Sequence, residues 1–200
     1  MADTWFNGTR YRSRHEARWA ALLGKLGDSP RTDHLYEPED VTVPGVGRYL
    51  PDFLFEYWDL WGEVKLNLTR RELRRLLAIA KGLSGRRCGA GRDLVVFGRI
   101  PAGGDLRFPV RLHGCRRRLW AHPWCPWVDG GPGNMHPEES VGVEVVSLDD
   151  AEEILLYGLP PDASWLLIDH WCLIAESYLR AANYARNARF EYGEHRESAA

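Results

Sequence analysis

Tyr49-Leu50-Pro51-Asp52-Phe53-Leu54-Phe55 and, after a short turn, Leu60-Trp61-Gly62-Glu63-Val64-Lys65-Leu66 decide the reading of this 200-residue chain. Both runs are aromatic and aliphatic, the composition of strands that pack on at least one face. Asp52, Glu63 and Lys65 are the charged exceptions. Side chains alternate along a strand, so Glu63 and Lys65 share one face and Val64 takes the other. A hairpin between the two strands would bring Asp52 towards that charged face.

Two carboxylates on neighbouring strands beside an ammonium suit a hard divalent cation such as Mg²⁺ or Mn²⁺. Such a cation activates water and neutralises charge on a phosphate oxygen, and the ammonium can orient the water or offset developing charge. That is the chemistry of phosphodiester hydrolysis. The bland alternative is a cross-strand salt bridge on an ordinary hairpin. Lysine usage weighs against it: of 26 cationic side chains only Lys25, Lys65 and Lys81 are lysines. Where charge alone suffices this chain uses arginine, so a lysine at 65 points to a role that needs an ammonium.

The pattern Pro51-Asp52…Glu63-Val64-Lys65 resembles the signature of the PD-(D/E)XK nuclease superfamily. Tyr11-Arg12-Ser13-Arg14-His15-Glu16-Ala17-Arg18-Trp19-Ala20 and Tyr36-Glu37-Pro38-Glu39 are similar to small members from phages and mobile elements. The resemblance spans about residues 9–100. It implies an α/β fold with a restriction-endonuclease-like αβββαβ core and divalent-metal-dependent cleavage of nucleic acid, with DNA the first hypothesis for the substrate. Asp52 and Glu63 would be metal ligands, Lys65 catalytic, and Glu16 a third acidic group reaching the metal. Glu16 has a competing explanation, since Ser13-x-x-Glu16 also reads as a capping box in which Glu16 bonds the Ser13 backbone N–H.

Composition narrows the class. A 44% hydrophobic, 27% charged chain of this length fits one domain, or one with a modest appendage. No apolar run approaches a membrane span and no signal-peptide segment opens the chain, so a cytoplasmic protein without membrane contact is expected. The four cysteines, Cys88, Cys115, Cys125 and Cys172, are widely spread, which favours thiols or a metal over disulfides. A net charge of −2 gives nucleic-acid binding no support from the total, so it must come from local patches.

In chain order, Met1 to Thr9 reads as a loose lead-in. A helix follows from Ser13 to about Leu26, with Trp19, Leu22, Leu23 and Leu26 on its apolar stripe. Strands are expected over Leu35–Val43, with Glu37 and Glu39 exposed, over Arg48–Phe55 and over Leu60–Leu66. Thr69-x-x-Glu72 opens a second helix to about Lys81, with Leu73, Leu76, Leu77 and Ala80 buried. A glycine-rich loop and a buried strand, Asp93–Ile100, complete the core. Arg12 and Arg14 at the first helix, and Arg70 and Arg74 on the second, are candidate phosphate contacts; a solvated basic end explains the first pair equally simply, and a solvated helix face is the commoner reason for the second.

A composition shift at Pro101–Gly104 divides a nuclease-like unit, 1–104, from a C-terminal α+β extension, 105–200. Leu106–His113 and Val141–Val146 read as strands, Leu148–Tyr157 as a short helix, and His170 to about Arg189 as the longest helix. That last helix has Trp171, Ile174, Tyr178, Ala181 and Ala185 on one stripe. His113, Cys115, His122 and Cys125 supply a Zn²⁺ ligand chemistry at irregular spacing, although buried cysteines and solvated histidines account for them as well. Arg116–Arg118 with Trp120, Trp124 and Trp127 suit either nucleotide stacking or a core. Two rival roles remain: a catalytically silent DNA-binding or assembly subunit of a transposition or phage complex, and an interaction protein working through its C-terminal helix. An oligomer or a partner protein fits either.

Overall fold

The computed structural model describes residues 4–26, 33–84, 92–100, 102, 109–115, 118–124, 143–157 and 168–192, with the side chains of 115, 123, 156–157, 168–175 and 191–192 left out of the description. It is a mixed α/β structure built on one seven-stranded sheet. That sheet runs β11 (Val143–Glu144), β10 (Arg118–Pro123), β9 (Val110–Cys115), β8 (Asp93–Phe97), β7 (Leu60–Val64), β6 (Phe53–Phe55), β3 (Leu35–Tyr36). β7 and β8 are parallel, and their neighbours are antiparallel. Strands from both sides of residue 104 therefore share one sheet.

Alternation along the strands separates two cores. Phe53, Phe55, Val64, Val95 and Phe97 face α1 (Arg14–Lys25) and α4 (Ile168–Asn187). Leu54, Trp61, Leu94, Val96 and Leu112 face α2 (Arg70–Leu83) and α3 (Leu148–Tyr157). Gly62 sits where a Cβ would lie 2.9 Å from the Phe97 ring and 3.0 Å from Phe53 Cβ, so the aromatic layer is packed against bare backbone there. Tyr178, Ala181, Ala182 and Ala185 of α4 are buried with Trp19, Leu22 and Leu23 of α1. Small side chains let the two helices approach closely. Trp171 and Ile174 lie outside the described side chains.

The helices start where their caps predict. Ser13 Oγ accepts from Glu16 N at 3.2 Å, and Thr69 and Glu72 form a complete capping box. Ser147 and Asp150 cap α3 reciprocally, at 2.8 and 3.0 Å. On α2 the buried stripe is Leu73, Leu76, Ile79 and Ala80, with Leu77 only partly covered. The helix also runs on through Gly82, where a Cβ would meet Val43 at 2.4 Å.

Several strand expectations are corrected. The lead-in is instead a hairpin, β1 (Thr4–Phe6) and β2 (Thr9–Tyr11), paired with β12 (Glu191–Tyr192). Asn7 and Gly8 at its turn have φ of 47° and 75°, the left-handed pair that a tight hairpin requires. The expected strand 35–43 breaks at Glu37, which adopts φ 44° before Pro38, leaving β3 and a separate β4 (Val41–Val43). Glu37 is accordingly half-buried rather than exposed. The expected strand 48–55 breaks at Pro51 into β5 (Gly47–Tyr49), which among the described residues pairs with β4, and β6. β7 stops at Val64 and β8 at Phe97, both earlier than expected, and 118–123, which showed no strand pattern, forms a hairpin with β9. The start of the expected strand at 106 and the tail beyond 192 lie outside the described residues.

Candidate active site

The register Phe53↔Gly62 sets Asp52 opposite Glu63 across the β6–β7 hairpin. Pro51 ends the preceding strand. Asp52 N–H then returns to Gly62 O at 3.0 Å, so Asp52 is held at the mouth of the ladder rather than within it. Its side chain turns onto the α2 face. Oδ2 accepts from Val64 N–H at 2.7 Å and Oδ1 from Arg12 Nη2 at 2.5 Å. Glu63 Oε2 accepts from the Tyr49 hydroxyl at 2.6 Å, and its Oε1 pairs with Lys65 Nζ at 2.7 Å. Lys65 N–H donates to Phe97 O at 2.9 Å, which fixes the root of the ammonium to the adjacent strand.

These groups line one cavity of about 560 Å³ between the N-terminal end of α1 and the side of α2. Glu16 lines it too, and so does Arg75. The volume lies in the range of small-ligand clefts. Glu16 does not bond the Ser13 backbone N–H: its Oε1 accepts from Ser13 Oγ at 2.7 Å and its Oε2 from Tyr36 O–H at 2.6 Å. It is 8% exposed, a buried carboxylate held by two hydroxyls.

The electrostatics reflect crowded, buried acids. Burial, then the Glu63 charge, then Glu16, raise the Asp52 carboxyl to about 7, against the pull of Val64 N–H and Arg12. Burial works against charge on Lys65, but Glu63 and Asp52 outweigh it and push its pKa up, so it stays an ammonium. Burial and Glu63 raise Tyr49 well above its ordinary value, and burial and the bond to Glu16 raise Tyr36, so both remain phenols that donate. The donors that Asp52 and Glu63 could offer a cation are all oxygen, on two opposed carboxylates whose mutual repulsion Arg12 and Lys65 offset in part. That chemistry fits Mg²⁺ or Mn²⁺. In this conformation no three acidic, histidine or cysteine side chains among the described residues are arranged as a metal-binding group. Arg12 and Lys65 lie on the carboxylates instead, and Glu16 is turned to Ser13 and Tyr36.

The other candidates fall elsewhere. Arg14 is exposed, with its guanidinium 5.8 Å from the Phe190 ring centroid. Arg70 pairs with Asp149 at 2.5 Å on α3, and Arg74 is exposed off the cavity. Arg75 is the arginine of that run that reaches the lining; helical phase relative to Leu76 and Ile79 was the signal for it. Tyr49 and Glu37 were missed because chain turns, not strand alternation, bring them in. His113 and His122 share a face of β9 and β10, with ring centroids 6.5 Å apart. His113 Nδ1 bonds the Asp93 carboxylate at 2.8 Å and its buried Nε2 has no hydrogen-bond partner among the described residues. The Cys115 side chain and Cys125 lie outside the described residues. Trp124 is core, packed on Phe55 and Phe97.

No family model, curated protein or solved structure matches the chain. No helix among the described residues is long and apolar enough to cross a membrane.

Proposed function

We propose that the chain is a metal-dependent deoxyribonuclease of the PD-(D/E)XK type. The observation that carries this is the convergence of Asp52, Glu63 and Lys65 in one cavity, with Arg12 and Arg75 at its wall. Within the main sheet and its helices the order α1, β3, β6, β7, α2, β8, with antiparallel pairs and then a parallel one, supports a restriction-endonuclease-like core. Asp52 and Glu63 would hold Mg²⁺ or Mn²⁺, which when bound activates water and neutralises phosphate charge. Val64 N–H and the Tyr49 hydroxyl each fix one oxygen of these carboxylates, leaving for the cation the oxygen now paired with Arg12 or with Lys65. Lys65 stands beside Glu63 to orient the attacking water and offset charge as it develops. Arg12 and Arg75 supply positive charge for the phosphate.

The test is incubation with supercoiled, linear and single-stranded DNA in Mg²⁺, Mn²⁺ or EDTA. Metal-dependent cutting is expected, reduced on the order of 10²-fold or more in Lys65→Ala with the melting transition retained. Parental rates in that variant would remove Lys65 from the chemistry. One observation favours a catalytically silent DNA-binding subunit: both carboxylates already have internal counter-ions. DNA retention in a gel shift without cleavage in Mn²⁺ decides for that reading.

A further inference from the structure

We infer that Arg12 is an internal counter-ion that competes with the divalent cation for Asp52, and that Glu37 receives it when the cation binds. This rests on the reading of Asp52 and Glu63 as metal ligands. Asp52 Oδ2 is committed to Val64 N–H, so Oδ1 is its oxygen facing the cavity, and Arg12 Nη2 sits on it at 2.5 Å. A dication at Oδ1 and a guanidinium on the same atom repel each other, so one must yield.

The arm is built to move at its head and not at its root. Arg12 N–H donates to the Tyr36 hydroxyl at 2.8 Å, and Tyr36 in turn donates to Glu16. The Arg12 side chain is 53% exposed, against 4% for Asp52, so the guanidinium can withdraw without opening the core. A second carboxylate already lies beside it: Arg12 Nε forms an ion pair with Glu37 Oε1, a buried acceptor with no hydrogen-bond partner among the described residues. Glu37 is brought there by a left-handed backbone, φ 44°, unusual for a glutamate, and by its N–H donating to Asp52 O at 2.9 Å. The two anchors of Arg12 are thus joined through Asp52's own main chain. Leaving Asp52 for Glu37 is a rotation about a fixed stem, and it frees Nη2 for a phosphate oxygen. Cation binding and phosphate binding are coupled through one side chain.

Mn²⁺ titration of the metal-free full chain, followed calorimetrically without DNA, tests this in the parent, Arg12→Gln, Glu37→Gln and Asp52→Asn. Arg12→Gln removes the competitor and is expected to bind Mn²⁺ about tenfold more tightly. Glu37→Gln removes the alternative anchor and should bind several-fold more weakly. Opposite signs that persist in about 0.5 M KCl are the signature, because general loosening of the site would weaken both and a through-space charge effect would be screened away by the salt. Equal or weaker binding by Arg12→Gln, or shifts of the same sign, overturns the inference while leaving the nuclease reading intact. Should the parent bind no Mn²⁺, or Asp52→Asn bind as well as the parent, the reading of the metal ligands fails and takes the inference with it.

Discussion

Asp52 is a carboxyl whose ordinary value near 3.8 is raised to about 7 by burial and by Glu63. A folded-state pKa above the unfolded one means the native state prefers the protonated form. Its contribution to stability is complete below about pH 4 and is lost as pH rises through 7. His15 acts in the opposite sense, its pKa lowered by burial against the bond to Gly98 O, so its contribution is lost as pH falls. Comparing variants isolates the Asp52 part. In EDTA, Asp52→Asn should gain about 1–3 kcal/mol over the parent at pH 8, and little at pH 4.5. Denaturant melts at the two pH values check this; an equal difference at both would show that Asp52 titrates normally. The grouping of Asp52, Glu63 and Lys65 was legible because alternation puts Glu63 and Lys65 on one face and a hairpin brings Asp52 to it, although Asp52 and Lys65 lie just outside β6 and β7. Tyr49 and Glu37 were not, since a left-handed residue and a proline break decide where they point.

At the scale of elements, the sequence showed the hydrophobic runs but not where they stop pairing. Residues 35–43 read as one strand, yet Glu37 and Pro38 divide it between two sheets. The Asn7-Gly8 turn was legible and overlooked, because the flanking strands are three residues each and carry little pattern. The β9–β10 pairing was hidden by the run Arg116-Arg117-Arg118 in the sequence and by histidines at inward positions. The β6–β7 hairpin depends on Gly62, where a side chain would press on Phe53 and Phe97. Gly62→Val should therefore cost about 2–3 kcal/mol through overpacking, measured as a lower denaturation midpoint with an unchanged slope. A loss under about 0.5 kcal/mol would mean that the aromatic layer repacks freely.

For the whole molecule, the α/β class was legible from alternating strand and helix patterns, whereas the role of the C-terminal half was not. Composition changes at residue 104, but hydrogen bonding continues across it from β8 to β9. The last helix lies against α1, and Tyr178, Ala181, Ala182, Ala185 and Phe190 belong to the same buried cluster as Trp19. Truncation after residue 167 is therefore expected to abolish the cooperative transition and expose apolar surface to a dye, rather than remove a detachable partner surface. A truncated chain that melts like the parent would identify α4 as an appendage.

The outer strand beside Asp52 has only two residues, Leu35 and Tyr36, and the chain leaves it through a left-handed glutamate followed by a proline. Proline offers no N–H and the bend carries the following carbonyls off the ladder. Among the described residues, this edge offers an incoming foreign strand only the two residues of β3 to pair with. The same bend that turns Glu37 towards Arg12 thus protects this flank from edge-to-edge growth in crowded solution.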